Sequence, residues 1–332
     1  MAKVLELLGS RPVQEFPVKT VEQIAHAYHA LRRTKLHGFS SDRAYFFSGF
    51  LAQLEQALLE YSVGFLRQRG FQLLSVPDVL RPQVLEGCGM LKDGDRNMVY
   101  LLNPRRHGQW ALSGTAEMAF GAFWQNKRLA ASQLPVRMAA VSRCYRAEIS
   151  DIQEGIYRVH EFNKVEMFSV CHPQRSDDEH RYFLGLQTEI VNALQLHAQV
   201  LDMPENDLGM SAARKFDIEA WMPGQGRYGE ISSTSNCRDF QSLRLNISFD
   251  ADEKVSNERD SSSRQFVHTV NGTACAVPRL IIALLEQHQI HNGSVRIPAV
   301  LRPYFHGAEL IDKPDEVPAL KWRKKGKVVK EE

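Results

Sequence analysis

Cysteine is scarce in this chain, with five residues in 332, at Cys88, Cys144, Cys171, Cys237 and Cys275. They are scattered, odd in number, and form no Cys-x-x-Cys pair. That argues for a reducing compartment and against a disulfide framework or a zinc knuckle. No apolar run is long enough to cross a membrane. Neither sign of charge dominates, since the net charge is only +2. Such a total neither demands nor excludes nucleic acid, because clustering matters more. There is no internal repeat. Residues 1–19 hold no sustained heptads, which excludes a coiled coil there. The opening MAKVLELLGSRPVQEF lacks the Arg- and Ser-rich amphipathic pattern of a transit peptide. What remains is a soluble, globular composition, in a chain long enough for one large domain or two smaller ones.

The richest stretch is Val141–Val170. Two β-like runs, Val141–Glu148 and Ile156–Val170, flank the polar segment Ile149–Gly155, which reads as a hairpin. A strand has a side-chain period of two, so even-numbered positions share a face. That face carries Arg146 and Glu148, then Arg158, His160, Phe162, Lys164 and Glu166. Val165 and Met167, on the other face, read as core. One aromatic among fixed cations and carboxylates suits a ligand with a planar base, phosphates and an ammonium group. Arginine offers a forked donor set to phosphate, and phenylalanine a flat surface to a base. The plainer alternative is a charged hairpin with a solvated face.

Along the rest of the chain, residues 1–19 are expected to be irregular, because Pro12 and Pro17 break any helix. Thr20–Arg33 reads as a short helix capped by Thr20. Phe50–Arg69 is a clearer helix, with Leu51, Leu54, Leu58, Tyr61, Phe65 and Leu66 in one stripe and Gly70 as its stop. A strand follows at Phe71–Val76. Thr115 and Glu117, two apart, can offer a hydroxyl and a carboxylate to one small polar ligand. Glu117 can equally open a helix over Ala116–Asn126. Ser176–Glu179 reads as a capping box, with an amphipathic helix to about Ala198 whose core face is Phe183, Leu186, Ile190 and Leu194. Lys215–Pro223 alternates like a strand and turns at Gly224–Gly226. The Ser/Thr/Asn run after Glu230 is compatible with a plain loop. Asp250–Gln265 is a long, charged, exposed hairpin loop. Pro278 suits the first turn of a helix carrying Leu280, Ile281, Leu284 and Leu285 inward. Arg279 then adds positive charge to a positive dipole end, which favours a bound anion. Lys313–Glu332 is a tail with a basic cluster from Lys321 to Lys330.

Three segments together resemble the class II seryl-tRNA synthetases. Tyr145-Arg146-Ala147-Glu148, followed by Tyr157–Phe162 and Lys164-Val165-Glu166, is similar to their motif 2, with Tyr145 and Glu161 as mild departures. Leu112–Met118 resembles the Thr-x-Glu loop, and His268–Arg279 resembles motif 3. The helix–strand pair at 50–76 occupies the place of motif 1, which builds the family's dimer interface. The resemblance spans about Ala25 to Tyr304 and is nearest to the animal mitochondrial branch.

It implies an α+β fold, an antiparallel sheet flanked by helices. The catalytic domain is expected at 20–312, after a linker at 1–19 and before the tail at 313–332. It implies activation of serine with ATP and transfer to tRNA(Ser) in the mitochondrial matrix, by a dimer with itself or with a paralogue. Arg146 and Arg279 are the implied catalytic residues. Serine falls to Thr115, Ala116, Glu117, Glu166, Asn271 and Thr273. ATP falls to Arg146, Ala147, Glu148, Arg158, Val159, Phe162, Glu230, Ile231, Ser232, Ser233 and Arg279. Glu230 and Ser233 would bind Mg²⁺, a hard cation suited to oxygen ligands. His160 is read as structural rather than as a base.

The family's N-terminal coiled-coil arm has no counterpart here, and the 149–155 loop looks short. The chain is therefore expected to be the catalytic domain with the linker before it, as a fragment, an alternative product or an arm-less form. Two rival readings are a catalytically inactive paralogue serving as a structural partner, and an amino acid:carrier-protein ligase. The second needs an active-site zinc, for which Cys144 and Cys237 are the available thiols.

Overall fold

The computed structural model describes residues 2–33, 38, 40–91, 98–148, 154–250 and 264–312. Its centre is an eight-stranded sheet. In chain order the strands are β1 (Lys3–Leu8), β2 (Gln72–Leu73), β3 (Val136–Tyr145), β4 (Glu161–Cys171), β5 (Ala198–Asp202), β6 (Arg214–Met222), β7 (Arg227–Arg238) and β8 (His268–Ala276). Their spatial order is β1-β5-β6-β7-β8-β4-β3-β2. Every neighbouring pair is antiparallel except β2 with β3. The expected α+β architecture is therefore present.

Five helices matter for the site: α1 (Val21–Ala27), α2 (Phe50–Arg67), α3 (Ala116–Trp124), α4 (Ser176–Ala193) and α5 (Val277–His288). The apolar stripes of α2, α4 and α5 fall in one buried cluster with Val165 and Met167 of β4. A second cluster joins Phe120 of α3 to Phe168 and Val170 of β4. The Phe120 and Phe168 rings stack with centroids 5.3 Å apart. Along β4, one face thus runs from Phe162 through the charged Lys164 and Glu166 to the apolar Phe168 and Val170. The second cluster closes that end, and the polar end is left for a ligand. Among the described residues, no helix is long and apolar enough to cross a membrane.

Several boundaries differ from the sequence expectation. The segment before Thr20 is not wholly irregular, because β1 pairs with β5 at the sheet edge. Thr20 does cap α1, in a reciprocal box with Gln23, but the helix stops at Ala27 and Leu31–Arg32 is extended. The strand after α2 is only Gln72–Leu73. Strand β3 ends at Tyr145, and Glu148 sits at φ 44°, outside extended geometry. The return strand starts only at Glu161, after a 3₁₀ turn at Gly155–Tyr157, so Arg158 and His160 do not belong to its face. Ser176 lies inside α4 rather than capping it, since a 3₁₀ turn at Pro173–Arg175 precedes the helix. Its Oγ donates to the Pro173 carbonyl at 3.1 Å. Glu179 pairs instead with Arg137, Nε to Oε1 at 2.5 Å, and α4 ends at Ala193. The base of the 250–265 hairpin is present as Ser248–Asp250 against Arg264–Phe266. Its tip, the 149–153 part of the motif 2 loop, and the basic tail lie outside the described residues.

Candidate active site

A cavity of about 520 Å³ opens over β4, β7 and β8. Of the sequence-predicted residues, Thr115, Glu117, Arg146, Glu148, Val159, Phe162, Glu166, Glu230, Ile231, Ser232, Ser233, Asn271, Thr273 and Arg279 all line it. Ala116, Ala147 and Arg158 do not. Arg158 is held beside the site by Glu154 (2.6 Å) and Glu148 (3.4 Å). His160 also lies off the cavity wall, edge-on to Tyr100, with centroids 6.0 Å apart. Burial, helped by the positive charge of Arg43, lowers its pKa.

At the apolar-backed end, small polar groups converge. Lys164 Nζ lies 2.5 Å from Glu166 Oε2 and 2.6 Å from Thr115 Oγ1. Its third neighbour is Thr273 Oγ1 at 3.4 Å. Thr273 Oγ1 also donates to Glu166 Oε2 at 3.1 Å. Glu117, at the start of α3, receives Asn271 Nδ2 at 2.9 Å and Gln241 Nε2 at 2.6 Å on one oxygen. Burial raises the Glu117 carboxyl to about 7, and the charge of Glu166 adds to the shift. Gln241, Lys164 and Arg146 oppose it.

At the wider end stand an aromatic ring and the arginines. The Arg146 guanidinium carbon is 5.3 Å from the centre of the Phe162 ring. Arg279 enters from the first turn of α5, behind Pro278. It lies over the Tyr157 ring at 4.4 Å and donates to the Glu230 carbonyl at 3.1 Å. Its Nη1 is 3.3 Å from Glu230 Oε2. Burial would raise the Glu230 carboxyl, but Arg279, Lys215 and Arg146 overcome this and hold it below its usual value. Asp217, beside it, is pushed up to about 6 by burial and by the Glu230 charge, against the pull of Lys215.

Glu230 and Ser233 are three apart, so strict alternation would put them on opposite faces. A β-bulge reconciles them. Glu219 pairs with Glu230 and Ile218 with Ser232, so Ile231 is an extra residue and the phase resets. A second bulge does the same on β8, where Thr273 pairs with Glu166 and Cys275 with Val165, skipping Ala274. Asn271, Thr273 and Ala276 then line the cavity, while Cys275 joins the core.

Sequence reading assigned no role to Met98, Tyr157, Ser211 or Lys215, which also line the cavity. Lys164 was placed on the ligand face without a role. Tyr157 and Lys215 lay within quoted segments, and their strand or turn context was the available signal. The zinc reading finds no support. Among the described residues, no group of three or more His, Cys, Asp and Glu is placed to hold a metal. Cys144 and Cys237 are buried, and Cys237 accepts from Asn271 Nδ2 at 3.4 Å.

Residues 100–288 match the tRNA synthetase class II core domain family (G, H, P, S and T). Mitochondrial serine–tRNA ligase of Mus musculus is 44% identical over 321 residues, covering 96% of this chain and 60% of that protein. Serine–tRNA ligase of Cutibacterium acnes is 41% identical over 300 residues, covering 90% and 68%. The crystal structure of seryl-tRNA synthetase from Pyrococcus horikoshii complexed with ATP superposes with a TM-score of 0.84 at 32% identity, covering 92% of this chain and 66% of that one. The fold and site thus define a class II tRNA synthetase core. Within that class, the chain belongs to the serine–tRNA ligase family, and it spans about 60% of the length of its mammalian relatives.

Proposed function

We infer that this chain activates serine with ATP and passes it to tRNA(Ser), in the mitochondrial matrix and as a dimer. One observation carries the activation step. A small polar subsite, Thr115–Glu117–Lys164–Glu166–Asn271–Thr273, opens into the wall formed by Arg146, Phe162, Glu230 and Arg279. The first part has the hydroxyls, carboxylates and amide that serine's polar groups need, and the second has a flat ring and fixed cations for ATP. Family membership and the mitochondrial relatives support the rest.

The serine carboxylate oxygen attacks the α-phosphorus in line. The bond to the bridging oxygen breaks, and pyrophosphate leaves with the electron pair. Such a step needs chiefly positioning and stabilisation of developing charge. Arg146, on the cavity wall beside Phe162, bridges the serine carboxylate and the α-phosphate. Arg279 meets the far phosphates. Phe162 stacks on adenine and Glu148 faces its amino edge. Glu166, Glu117 and Thr115 take the α-ammonium and the hydroxyl. A pocket that bonds a hydroxyl rejects alanine, because its polar groups would be left unpaired. The tRNA 3′ hydroxyl then attacks the seryl carbonyl carbon and AMP departs.

The residues present fit a magnesium ion. Glu230 is kept ionised by its cationic neighbours, and the bulge turns Ser233 to its face. These two would hold Mg²⁺, which when bound neutralises phosphate charge.

The test is serine-dependent ATP–pyrophosphate exchange. Exchange that is specific to serine and cut by a factor of about 10²–10³ in Arg279→Ala supports the reading. Folded protein that exchanges with no amino acid would sink it.

A further inference from the structure

The short helix Phe240–Leu245 lies behind the cavity and contributes nothing to its lining. Its Gln241 is nevertheless fully buried, with both polar ends committed. Gln241 Nε2 donates to Glu117 Oε1 at 2.6 Å, and Gln241 Oε1 accepts from Thr269 Oγ1 at 2.8 Å. The same Nε2 lies 3.5 Å from the Cys88 carbonyl oxygen. A chain Thr269–Gln241–Glu117 therefore runs from β8 to the amino-acid subsite. The Glu117 carboxylate and the Cys88 carbonyl, which can only accept, set the amide with NH₂ toward the carboxylate, and the Thr269 hydroxyl, free to donate, satisfies the amide oxygen. A donor to a carboxylate favours its charged form.

The groups facing Glu117 are few. Glu166 opposes its ionisation, and Lys164 and Arg146 favour it. The thiols of Cys88 and Cys237 lie behind it, both raised by burial and so neutral. Burial and the Glu166 charge, opposed by the Gln241 bond, Lys164 and Arg146, together leave the Glu117 carboxyl at about 7. Two amides donate to its Oε1, Gln241 at 2.6 Å and Asn271 at 2.9 Å, and the shorter bond, from Gln241, favours the ionised form.

We propose that Gln241 is a positioning residue for serine, holding the Glu117 carboxylate charged and oriented toward the substrate ammonium and hydroxyl. Its link to serine rests on the proposed activity, but its control of Glu117 does not. The proposal can therefore be read in two ways on the full chain.

The first is the carboxyl ¹³C resonance of Glu117, identified by its loss in Glu117→Gln. In Gln241→Met its titration midpoint is expected to rise by about one pH unit. An unmoved midpoint overturns the proposal. The second is the pH profile of kcat/KM for serine in pyrophosphate exchange. Its acid limb is expected to move up with the midpoint, giving roughly a fivefold loss at pH 7 that closes near pH 9, with KM for ATP unchanged. A loss equal at every pH would assign Gln241 to packing alone and overturn the proposal. If Gln241→Met does not fold, Thr269→Val frees the amide one bond further out and should move both readouts the same way by less. No movement there also overturns it. A shifted resonance in a protein without serine-dependent exchange would refute the proposed activity while leaving the Gln241–Glu117 link standing.

Discussion

Replacing Lys164 with methionine tests the centre of the site. The Lys164 and Glu166 side chains are only 6% and 3% exposed, with Nζ 2.5 Å from Oε2. The other two contacts of the ammonium are the hydroxyl oxygens of Thr115 and Thr273. Methionine keeps the stem volume but removes the charge. Glu166 is then left buried with one hydroxyl donor, Thr273. Breaking a buried pair from one side costs about 3–5 kcal/mol, mostly because the survivor keeps its charge without a counter-ion. The double variant Lys164→Met/Glu166→Gln removes both charges and should recover most of that, since a buried pair replaced whole is often near neutral. Urea denaturation at pH 7.5 gives the comparison, read as the midpoint times a common m-value. A single variant within about 1 kcal/mol of the parent, or a double variant no more stable than the single, would show that this ion pair is not what holds the subsite.

The other expectations are narrower. Glu286 is fully buried, accepts the backbone N–H of Val21 (3.0 Å) and Gly224 (2.8 Å), and has its carboxyl raised by burial from 4.5 to about 7. An acid raised on folding stabilises fully below its unfolded pKa, and that contribution is lost as pH rises through the folded value. The parent should therefore lose up to about 3 kcal/mol relative to Glu286→Gln between pH 4.5 and 8, and parallel stability curves would refute this. Thr20→Ala removes the α1 cap, worth about 1 kcal/mol, so the Ile24 and Ala25 amides should exchange about fivefold faster. Arg279→Ala should cost exchange activity about 10²–10³ while shifting the urea midpoint little, which separates its chemical role from a structural one.

The parts of the fold legible in the sequence were those where pattern and burial agree. Leu51, Leu54, Leu58 and Leu66 of α2 and Leu280, Ile281, Leu284 and Leu285 of α5 are buried as their periodicity required. Thr20 with Gln23 gave the start of α1 through local chemistry alone. Strand β1 was hidden because it lies at an edge. Val4, Leu5 and Leu7 are 49%, 44% and 61% exposed, so no alternation marks a buried face. The end of β3 was hidden because the left-handed backbone of Glu148 is a tertiary choice that its residue type does not announce. The two bulges are the sharper case. Period-two counting separates Glu230 from Ser233 and unites Thr273 with Cys275, and both outcomes are reversed by one extra residue on each strand. Only the family resemblance placed Glu230 and Ser233 together, because motif spacing already contains the bulge that propensity cannot see.

Charge balance in the subsite follows from distances that no spacing rule supplies. Lys164 and Glu166 were readable as neighbours on one strand face, but that they neutralise each other was not. Once they do, Glu166 cannot alone answer the ammonium of an incoming amino acid. A second carboxylate is needed, and Glu117, on the cavity wall and bonded to Asn271, stands in that subsite. Counting Lys164, Glu166 and an ionised Glu117, these three side chains carry one negative charge in excess until the substrate ammonium enters. A protonated Glu117 leaves them neutral and unwelcoming to that ammonium. On the proposed activity, substrate entry depends on the Glu117 carboxyl, which burial raises to about 7, so serine affinity should weaken on the acid side of neutrality far more than ATP affinity does. Equal acid sensitivity of the two KM values would show that the charge is balanced elsewhere.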